Sequence, residues 1–307
     1  AVTVNDLWAE NVDETSAQEF IRQQQQGQAI REKMEKSTDV HLETQRIDTQ
    51  KNIPDNELPC FHISHIELAG TGADFFKKTL KKVLKNSDQA VGRCWGVEGI
   101  NVVMTRLQNE IIANGYITSR VYAGPQDLTK GTLTLTVVAG TVNDVYTSDD
   151  TSSFIFLWNT LPRSKDGLLN LRDIEQALEN FKRVPTADAN IAILPSKNQQ
   201  QGESDLEVSY QQRFPLRFSL SLDDAGSKAT GKYQGNFTAS LDNPLRLSDL
   251  LYVSMNHDLG GGDSGSRGSE SKILHYSVPY QYWQVAITGN ESDYYQSVPG
   301  LTETYIY

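Results

Sequence analysis

The sequence predicts an α+β fold followed by an all-β segment: an N-terminal helix, two tandem βααββ units, and the first strands of a transmembrane antiparallel β-barrel. Two observations predict this order. The succession strand, helix, helix, strand, strand occurs twice between residues 60 and 212, which is the mark of a repeated structural unit. After Arg213 the helical periodicity stops, and apolar and polar residues alternate as they do in barrel strands.

The composition excludes several other classes of protein. Apolar residues make up 38% of the 307 residues, below the ~45–50% of an average globular chain. The 28 Lys and Arg against 39 Asp and Glu give a formal net charge of −11, whereas a general nucleic-acid-binding protein carries a basic surface. No run reaches the roughly 18 apolar residues of a membrane-spanning helix, and spanning strands would leave only a weak alternating signal.

Residues 1–36 predict an interrupted helix with a thin apolar stripe. Its apolar residues are sparse, and Gly27 follows a run of glutamines and lowers helix propensity. The stripe consists of Leu7, Trp8, Val12, Phe20, Ile21, Ile30 and Met34. It suits a helix in a wet cavity, a helix on a partner, or a solvated arm. The polar residues 37–58 lack periodicity and predict a linker.

The two repeated units are predicted at residues 59–140 and 141–212, each with a three-stranded mixed sheet and both helices on one face. The first unit has strands at 61–68, 117–122 and 132–138 and helices at 75–86 and 97–114. The second has strands at 141–147, 190–194 and 205–210 and helices at 152–160 and 171–184.

Residues 213–307 predict about five strands with one apolar and one polar face. No second sheet is encoded that could cover the apolar face, so we predict that it contacts lipid while the polar face lines a wet lumen. Tyr and Trp residues near the strand ends fit the interfacial belts of membrane proteins. Five strands cannot close a barrel, so we expect further strands beyond this segment, with residues 304–307 beginning a sixth.

No catalytic, metal or cofactor site is predicted. The string Gly262-Asp263-Ser264-Gly265 matches the nucleophile motif of trypsin-like proteases but lies in a flexible Gly- and Ser-rich stretch without the matching histidine motif. His62 and His65 are three residues apart on a strand, and this spacing directs them to opposite faces. The glycines at 260–262 precede no helix, so no nucleotide site is expected.

Sheet edges are the best candidates for binding an unfolded polypeptide. The fourth element of a βααββ unit normally lies at the sheet edge, where its backbone groups accept an extended guest strand. The candidates are Ile117, Thr118, Ser119, Arg120, Val121 and Tyr122, and a weaker set is Asn190, Ile191, Ala192, Ile193 and Leu194. Protection of these edges by the linker is the open alternative. A lysine-rich helix face at 77–85 is open to anionic lipid, to an acidic partner or to solvent alone.

Four stretches carry a family resemblance: residues 59–68, 107–116, 133–140 and 220–251 with Asp242-Asn-Pro-Leu245 and Asp249-Leu-Leu-Tyr252. In this order they resemble the two-partner secretion transporters (TpsB family), POTRA-bearing outer-membrane translocases that include exporters of the ShlB and HpmB haemolysin-activator type and the CdiB type. The order is specific, although each stretch alone is only moderately so. The family's Val-Arg-Gly-Tyr-type loop motif does not occur in these 307 residues.

The resemblance implies a function in protein export. Residues 1–36 would hold a helix that plugs a pore, with Leu7, Trp8, Phe20 and Ile21 as its contact residues, and 37–58 would be a periplasmic linker. Two POTRA domains would recruit the N-terminal secretion domain of an exoprotein: a haemolysin, an adhesin or a contact-dependent toxin. A barrel in the lipid of the Gram-negative outer membrane would conduct the unfolded chain without nucleotide.

Cys60 and Cys94 would form a disulfide bond in the first POTRA domain, according to the same resemblance. From the residues alone, one bridge in an oxidising compartment and two free thiols both stay possible.

Two other classes of function stay open. A soluble periplasmic chaperone or scaffold that binds polypeptides by strand augmentation would be soluble without detergent. An outer-membrane enzyme would need a catalytic set that the sequence does not contain, so we predict that the protein is not an enzyme.

Overall fold

The computed structural model describes residues 4–36, 38–44, 46–47, 52–54, 57–85, 90–151, 155–162, 167–299 and 304–306, with side chains in the first helix described from Ala17 onwards. That helix, α1, runs without a break from Val4 to Met34. The predicted interruption near Gly27 is therefore wrong. A Cβ at Gly27 would meet only the Ile273 side chain, at 3.9 Å, so the helix passes this point without crowding.

The first repeated unit differs from the prediction at its first strand. Its elements are β1 Phe61–Ile63, β2 His65–Ala69, α2 Ala73–Lys85, β3 Arg93–Trp95, α3 Val97–Ala113, β4 Arg120–Tyr122 and β5 Thr132–Val138. The predicted strand at 61–68 is two strands, because β1 pairs with β3 while β2 pairs in parallel with β5. The main sheet has the order β2-β5-β4. Cys60 and Cys94 form the expected disulfide bond beside β1 and β3, with Cα atoms 5.4 Å apart.

The second repeated unit contains β6 Thr141–Thr147, α4 Leu171–Lys182, β7 Ala187–Pro195 and β8 Glu203–Gln212, in the sheet order β6-β8-β7. The predicted helix at 152–160 is wrong where the structure describes it, since residues 155–160 form a turn, and 152–154 lie outside the described residues. The Phe156 N–H donates to the carbonyl of the distant Arg246 (3.0 Å) instead of to a helix carbonyl, and the bond from Leu161 N–H to the Leu157 carbonyl (3.0 Å) closes a single turn.

The remaining strands form a five-stranded antiparallel meander, which we call the barrel sheet. Its strands are β9 Leu216–Asp223, β10 Gln234–Asp242, β11 Leu250–Asp258, β12 Gly268–Tyr280 and β13 Trp283–Tyr295, paired in chain order. Short strands β14 Ser297–Pro299 and β15 Thr304–Ile306 pair with each other. The expected sixth strand therefore does not extend the barrel sheet, and Tyr307 lies outside the described residues.

The two faces of the barrel sheet have opposite character. Leu220 and Ile287 are 74% and 72% exposed on one face, whereas Ser254 and Ser277 on the other face are buried. Helix α1 packs at the polar face, and the second unit packs at the end of the sheet where the β10–β11 and β12–β13 turns lie. Beyond that end, the apolar face has no covering element among the described residues. Among those same residues, no helix combines the length and apolar character needed to cross a membrane.

Candidate functional site

The first candidate edge is shorter than predicted. Only Arg120–Tyr122 form β4, whereas Ile117–Ser119 lie in the turn after α3. In the described residues β4 pairs with β5 alone. However, the N–H of Val121 already donates to the buried Gln108 side chain (2.9 Å), which in turn donates to the Ser119 carbonyl (2.9 Å). This edge therefore offers few backbone groups to an incoming strand.

The second candidate edge is longer and more open. All nine residues of β7 pair with β8, and the described part of the chain places no strand on the other side. The N–H of Ala189 donates to the Asp188 carboxylate (3.0 Å). That N–H therefore points away from β8. Since the backbone N–H groups of every second strand residue point to the same side, those of Ile191 and Ile193 point to the open side as well. The predicted residues Asn190–Leu194 lie within this strand.

Helix α1 forms hydrogen bonds with the polar face of the barrel sheet and with the loop between β9 and β10. Glu19 accepts from the Thr230 hydroxyl (2.6 Å), and Arg22 donates to the same hydroxyl (3.3 Å) while pairing with Glu19. Towards the other end, Lys33 donates to the Ser219 hydroxyl (2.8 Å). Polar contacts spaced along the helix thus hold it against the sheet.

The predicted apolar stripe makes this contact only in part: Met34 is buried and Ile30 packs beside it, in a core shared with the second unit and the barrel sheet. Phe20 and Ile21 are 59% and 54% exposed, and Leu7 and Trp8 precede the described side chains. A cavity of about 520 Å³ lies between the helix and the sheet, lined in part by Tyr252. The helix therefore borders this cavity along the middle of its length and joins the apolar core at its C-terminal end.

A buried arginine joins the second unit, the barrel sheet and the end of α1. Arg183, directly after α4, donates to Glu35 (2.9 Å), to the Ser277 hydroxyl (2.8 Å) and carbonyl (3.1 Å), and to the Ser248 carbonyl (3.2 Å). Glu35, the residue after α1, also accepts from Ser277 (2.9 Å) and Gln284 (3.2 Å). Burial lowers the pKa of Arg183, and the Glu35 charge opposes that shift. The Glu35 side chain and the Lys36 N–H, which donates to the Arg183 carbonyl (2.8 Å), therefore connect the end of the helix to this cluster.

A second charged pair lies close by. Arg217 donates to both carboxylate oxygens of Asp242 (2.9 and 2.8 Å), in the bidentate geometry that makes such pairs strong. The Asp242 side chain is fully buried and also accepts from Thr186 of the second unit (2.7 Å). Arg217 in addition donates to the Met34 carbonyl at the end of α1 (3.1 Å). This pair thus joins the same three parts.

The turn between β12 and β13 inserts into the second unit. Asn180 on α4 donates to the carbonyls of Gln281 and Thr160, both at 2.8 Å. The Tyr282 hydroxyl donates to Asp173 on the same helix. Burial raises the pKa of Asp173 and the Tyr282 hydrogen bond opposes that rise; burial and this bond together raise the pKa of Tyr282. The turn is thus fixed to α4 at two positions, two helical turns apart on the same face.

The predicted linker is bound to both repeated units where the structure describes it. Glu175 and Glu179 of α4 accept from the backbone N–H groups of Leu42 (2.8 Å) and Val40 (3.3 Å). These contacts hold the first part of the linker on the second unit.

The later part of the linker is bound to the first unit. Asn109 on α3 accepts from Ile47 N–H (2.8 Å) and donates to its carbonyl (2.9 Å). Ile53 is buried in the core of that unit. The Glu57 carboxylate accepts from three N–H groups at the start of α3, those of Gly96, Glu98 and Gly99, at 2.7 to 3.0 Å, where a negative charge is favourable.

The remaining motifs do not assemble into a site of their own. Gly262–Gly265 lie in the loop between β11 and β12, and His62 and His65 lie in different sheets. No group of three or more metal-ligating side chains occurs among the described residues. Lys82 of the lysine-rich helix pairs with Glu110 of the same unit.

Functional residues that sequence reasoning missed are Glu35, Arg183 and Arg217. They are separated by up to 249 residues from the groups they bind, and no local pattern marks them. Asp242 lies in one of the stretches that carry the family resemblance, but the sequence does not show that it pairs with Arg217.

Models of known families match most of the described chain. The family described as haemolysin secretion/activation protein ShlB/FhaC/HecB matches residues 202–307. A POTRA domain of ShlB type matches 61–140, and a further POTRA domain matches 143–195. The three matches follow the order of the two repeated units and the barrel sheet.

Relatives and solved structures agree with these matches. The outer membrane transporter CdiB-2 of Burkholderia pseudomallei is 37% identical over 216 residues, which cover 70% of this chain and 36% of that protein. CdiB of Escherichia coli is 30% identical over 291 residues, covering 91% and 46% respectively. The structure of CdiB from Acinetobacter baumannii superimposes with a TM-score of 0.79 at 27% identity, over 92% of this chain and 54% of that one.

This chain spans less than half the length of those curated relatives. The matches nevertheless cover both repeated units and the barrel sheet. The chain belongs to the ShlB/FhaC/HecB family of haemolysin secretion/activation proteins, the two-partner secretion transporters with POTRA domains.

Proposed function

We propose that this protein exports an exoprotein across the outer membrane, with its POTRA domains in the periplasm binding the exoprotein's N-terminal secretion domain. Its relatives are named as outer membrane transporters and haemolysin transporters. Those names agree with the prediction that the protein is not an enzyme. The exported partner would be a haemolysin, an adhesin or a contact-dependent toxin.

The observation that carries this proposal is the position of α1. It lies on the polar face of a sheet whose other face exposes apolar rows, including Phe218 and Leu220. In water those rows would be costly, and in a bilayer they are the expected lipid contact. This arrangement supports a barrel with a plug helix in its lumen and argues against the soluble scaffold.

We place cargo capture at the open edge of β7. Strand addition binds an extended chain through its backbone and therefore suits an unfolded substrate of variable sequence. The outward N–H groups of Ile191 and Ile193 are available for it, whereas the outward N–H of Val121 on β4 is already bonded to Gln108. The β4 edge, Ile117–Tyr122, is kept as the weaker candidate.

The test uses the intact transporter in detergent and the secretion domain of the exoprotein encoded beside its gene. Ile191→Pro removes an outward N–H, and Ile191→Ala is the matched control that shortens the side chain but keeps that N–H. We expect binding to be lost with proline and retained with alanine. Binding that persists with proline would move the cargo site away from β7, and no binding by the unmodified protein would favour the scaffold.

A further inference from the structure

Five apolar side chains from separate segments form an exposed patch at one end of the barrel sheet. We call it the aromatic patch; it consists of Phe156, Trp158, Leu245, Tyr280 and Trp283. Trp158 is 55% exposed and Trp283 is 74% exposed. Phe156 and Trp158 belong to the second POTRA domain, while the other three lie at the turns of the barrel sheet.

The patch continues the apolar face of the barrel sheet. Tyr280 ends β12 directly opposite Trp283, and two residues further along these strands Val278 lies opposite Val285. Side chains two residues apart on a strand share a face, so Tyr280 and Trp283 belong to the row that faces lipid. The Trp158 ring lies edge-on to Tyr280, with ring centroids 6.2 Å apart. The tryptophan of the POTRA domain is therefore on the lipid side of the sheet.

Hydrogen bonds fix the POTRA turn in this position. Phe156 N–H donates to the Arg246 carbonyl (3.0 Å). The Asn159 side chain donates to the carbonyls of Leu247 (2.8 Å) and Pro279 (3.1 Å). Both turns of the barrel sheet at this end thus hold the segment on each side of Trp158.

We propose that the aromatic patch lies in the headgroup region of the periplasmic leaflet, so that the second POTRA domain contacts the membrane directly through Trp158. Indole rings favour this region because one end of the ring is apolar and its N–H is polar. A ring that is 55% exposed has no protein core around it, and its neighbour Tyr280 belongs to the lipid-facing row. The inference rests on the proposed placement of the barrel sheet in the outer membrane.

The experiment is spin-label depth measurement on the intact transporter in vesicles of phosphatidylethanolamine and phosphatidylglycerol. The label is attached at Trp158→Cys, since the two native cysteines of this chain are paired. Val285→Cys in the lipid-facing row and Tyr122→Cys on the first POTRA domain, 60% and 48% exposed in the unmodified protein, are the controls. We expect the ratio of oxygen to water-soluble nickel accessibility at position 158 to be several-fold above that at 122 and below that at 285.

Equal ratios at 158 and 122 would overturn the inference while leaving the barrel placement intact. A low ratio at 285 would overturn the barrel placement and, with it, the inference. A second measurement does not depend on a cysteine at 158: brominated lipids should quench the tryptophan fluorescence of the unmodified protein more strongly than that of Trp158→Phe. Equal quenching of the two proteins would likewise overturn the inference.

Discussion

Helix α1 and the second POTRA domain both pack against the barrel sheet, but they bury very different contacts. The POTRA domain meets the sheet through Arg183 and Asp242, whose charges are buried and fully hydrogen-bonded. The helix buries Glu19 and Met34, but between them it borders a cavity of about 520 Å³ and leaves Phe20 and Ile21 exposed. Buried charged hydrogen bonds are costly to break, whereas bonds that water replaces contribute little net stability. We infer that the POTRA domain is a fixed partner of the sheet and the helix a removable one.

The largest expected effect is that of Arg217→Ala. The substitution leaves the buried Asp242 carboxylate without its bidentate partner and should lower the free energy of unfolding by about 3 kcal/mol. Thermal unfolding of the intact transporter in detergent measures it. Lys272→Ala is the control, because it breaks an ion pair with Glu270 that is half-exposed on both sides and should change stability little. Equal losses would show that the buried contact is no stronger than a surface pair.

The next effect concerns the end of the helix. Glu35→Ala removes the contact of α1 with Arg183, while Arg183 keeps its bonds to the Ser248 and Ser277 carbonyls. A loss of about 1.5 kcal/mol should raise the ratio of open to closed pores roughly tenfold. Single-channel conductance in planar bilayers measures this ratio.

The control for the helix experiment is Glu32→Ala, which removes the same charge one turn earlier. Glu32 accepts from Gln28 on the same helix (3.0 Å) and should leave the pore closed. Equal opening by both variants would contradict a specific role for Glu35.

A smaller effect is expected at the linker, which binds to both POTRA domains. Glu57→Ala removes the carboxylate that bonds the first turn of α3 and should cost about 1 kcal/mol, as loss of a helix cap does. Hydrogen exchange at Gly96, Glu98 and Gly99 should quicken accordingly. Glu57→Gln keeps an acceptor and should protect them better; unchanged exchange in Glu57→Ala would show that the linker is not anchored there.

The smallest effect is a pH dependence at the turn between β12 and β13. The pKa of Asp173 is raised in the folded state, so folding favours its protonated form. This contribution is complete below the ordinary carboxyl pKa of about 3.9 and is lost as the pH rises through the raised value. The stability of the unmodified protein relative to Asp173→Asn should therefore rise on acidification from pH 7 to about pH 4. Parallel profiles for the two proteins would contradict this.

Elements with a strong local period could be predicted from the sequence. The helix predicted at 171–184 is α4, Leu171–Lys182, since its apolar residues recur at helical spacing and Asn170 caps its start. The alternating segments after Arg213 form β9–β13, paired in chain order. This pairing could be predicted because each strand of a meander pairs with the strand that precedes or follows it in the chain. The open edge of β7 followed from the position of the strand within its unit.

Elements that depend on distant partners could not be predicted. In residues 155–160 the Phe156 N–H donates to the Arg246 carbonyl in a turn of the barrel sheet, instead of to a helix carbonyl. Of the predicted edge at 117–122, residues 117–119 form a turn instead of a strand, and the outward N–H of Val121 donates to the Gln108 side chain. Both differences come from hydrogen bonds between separate elements of the chain, which the pattern within one element does not reveal.

By itself the sequence determined the repeated units, the two-faced strands and the family, because period, alternation and motif order are properties of neighbouring residues. The tertiary structure alone decided that Glu35, Arg183 and Ser277 meet, and that polar contacts hold α1 together with Ile30 and Met34 at the end of the apolar stripe. The physical reason is that these bonds join groups up to 242 residues apart. Their strength depends on burial, which exists only once the helix, the POTRA domain and the sheet are packed together.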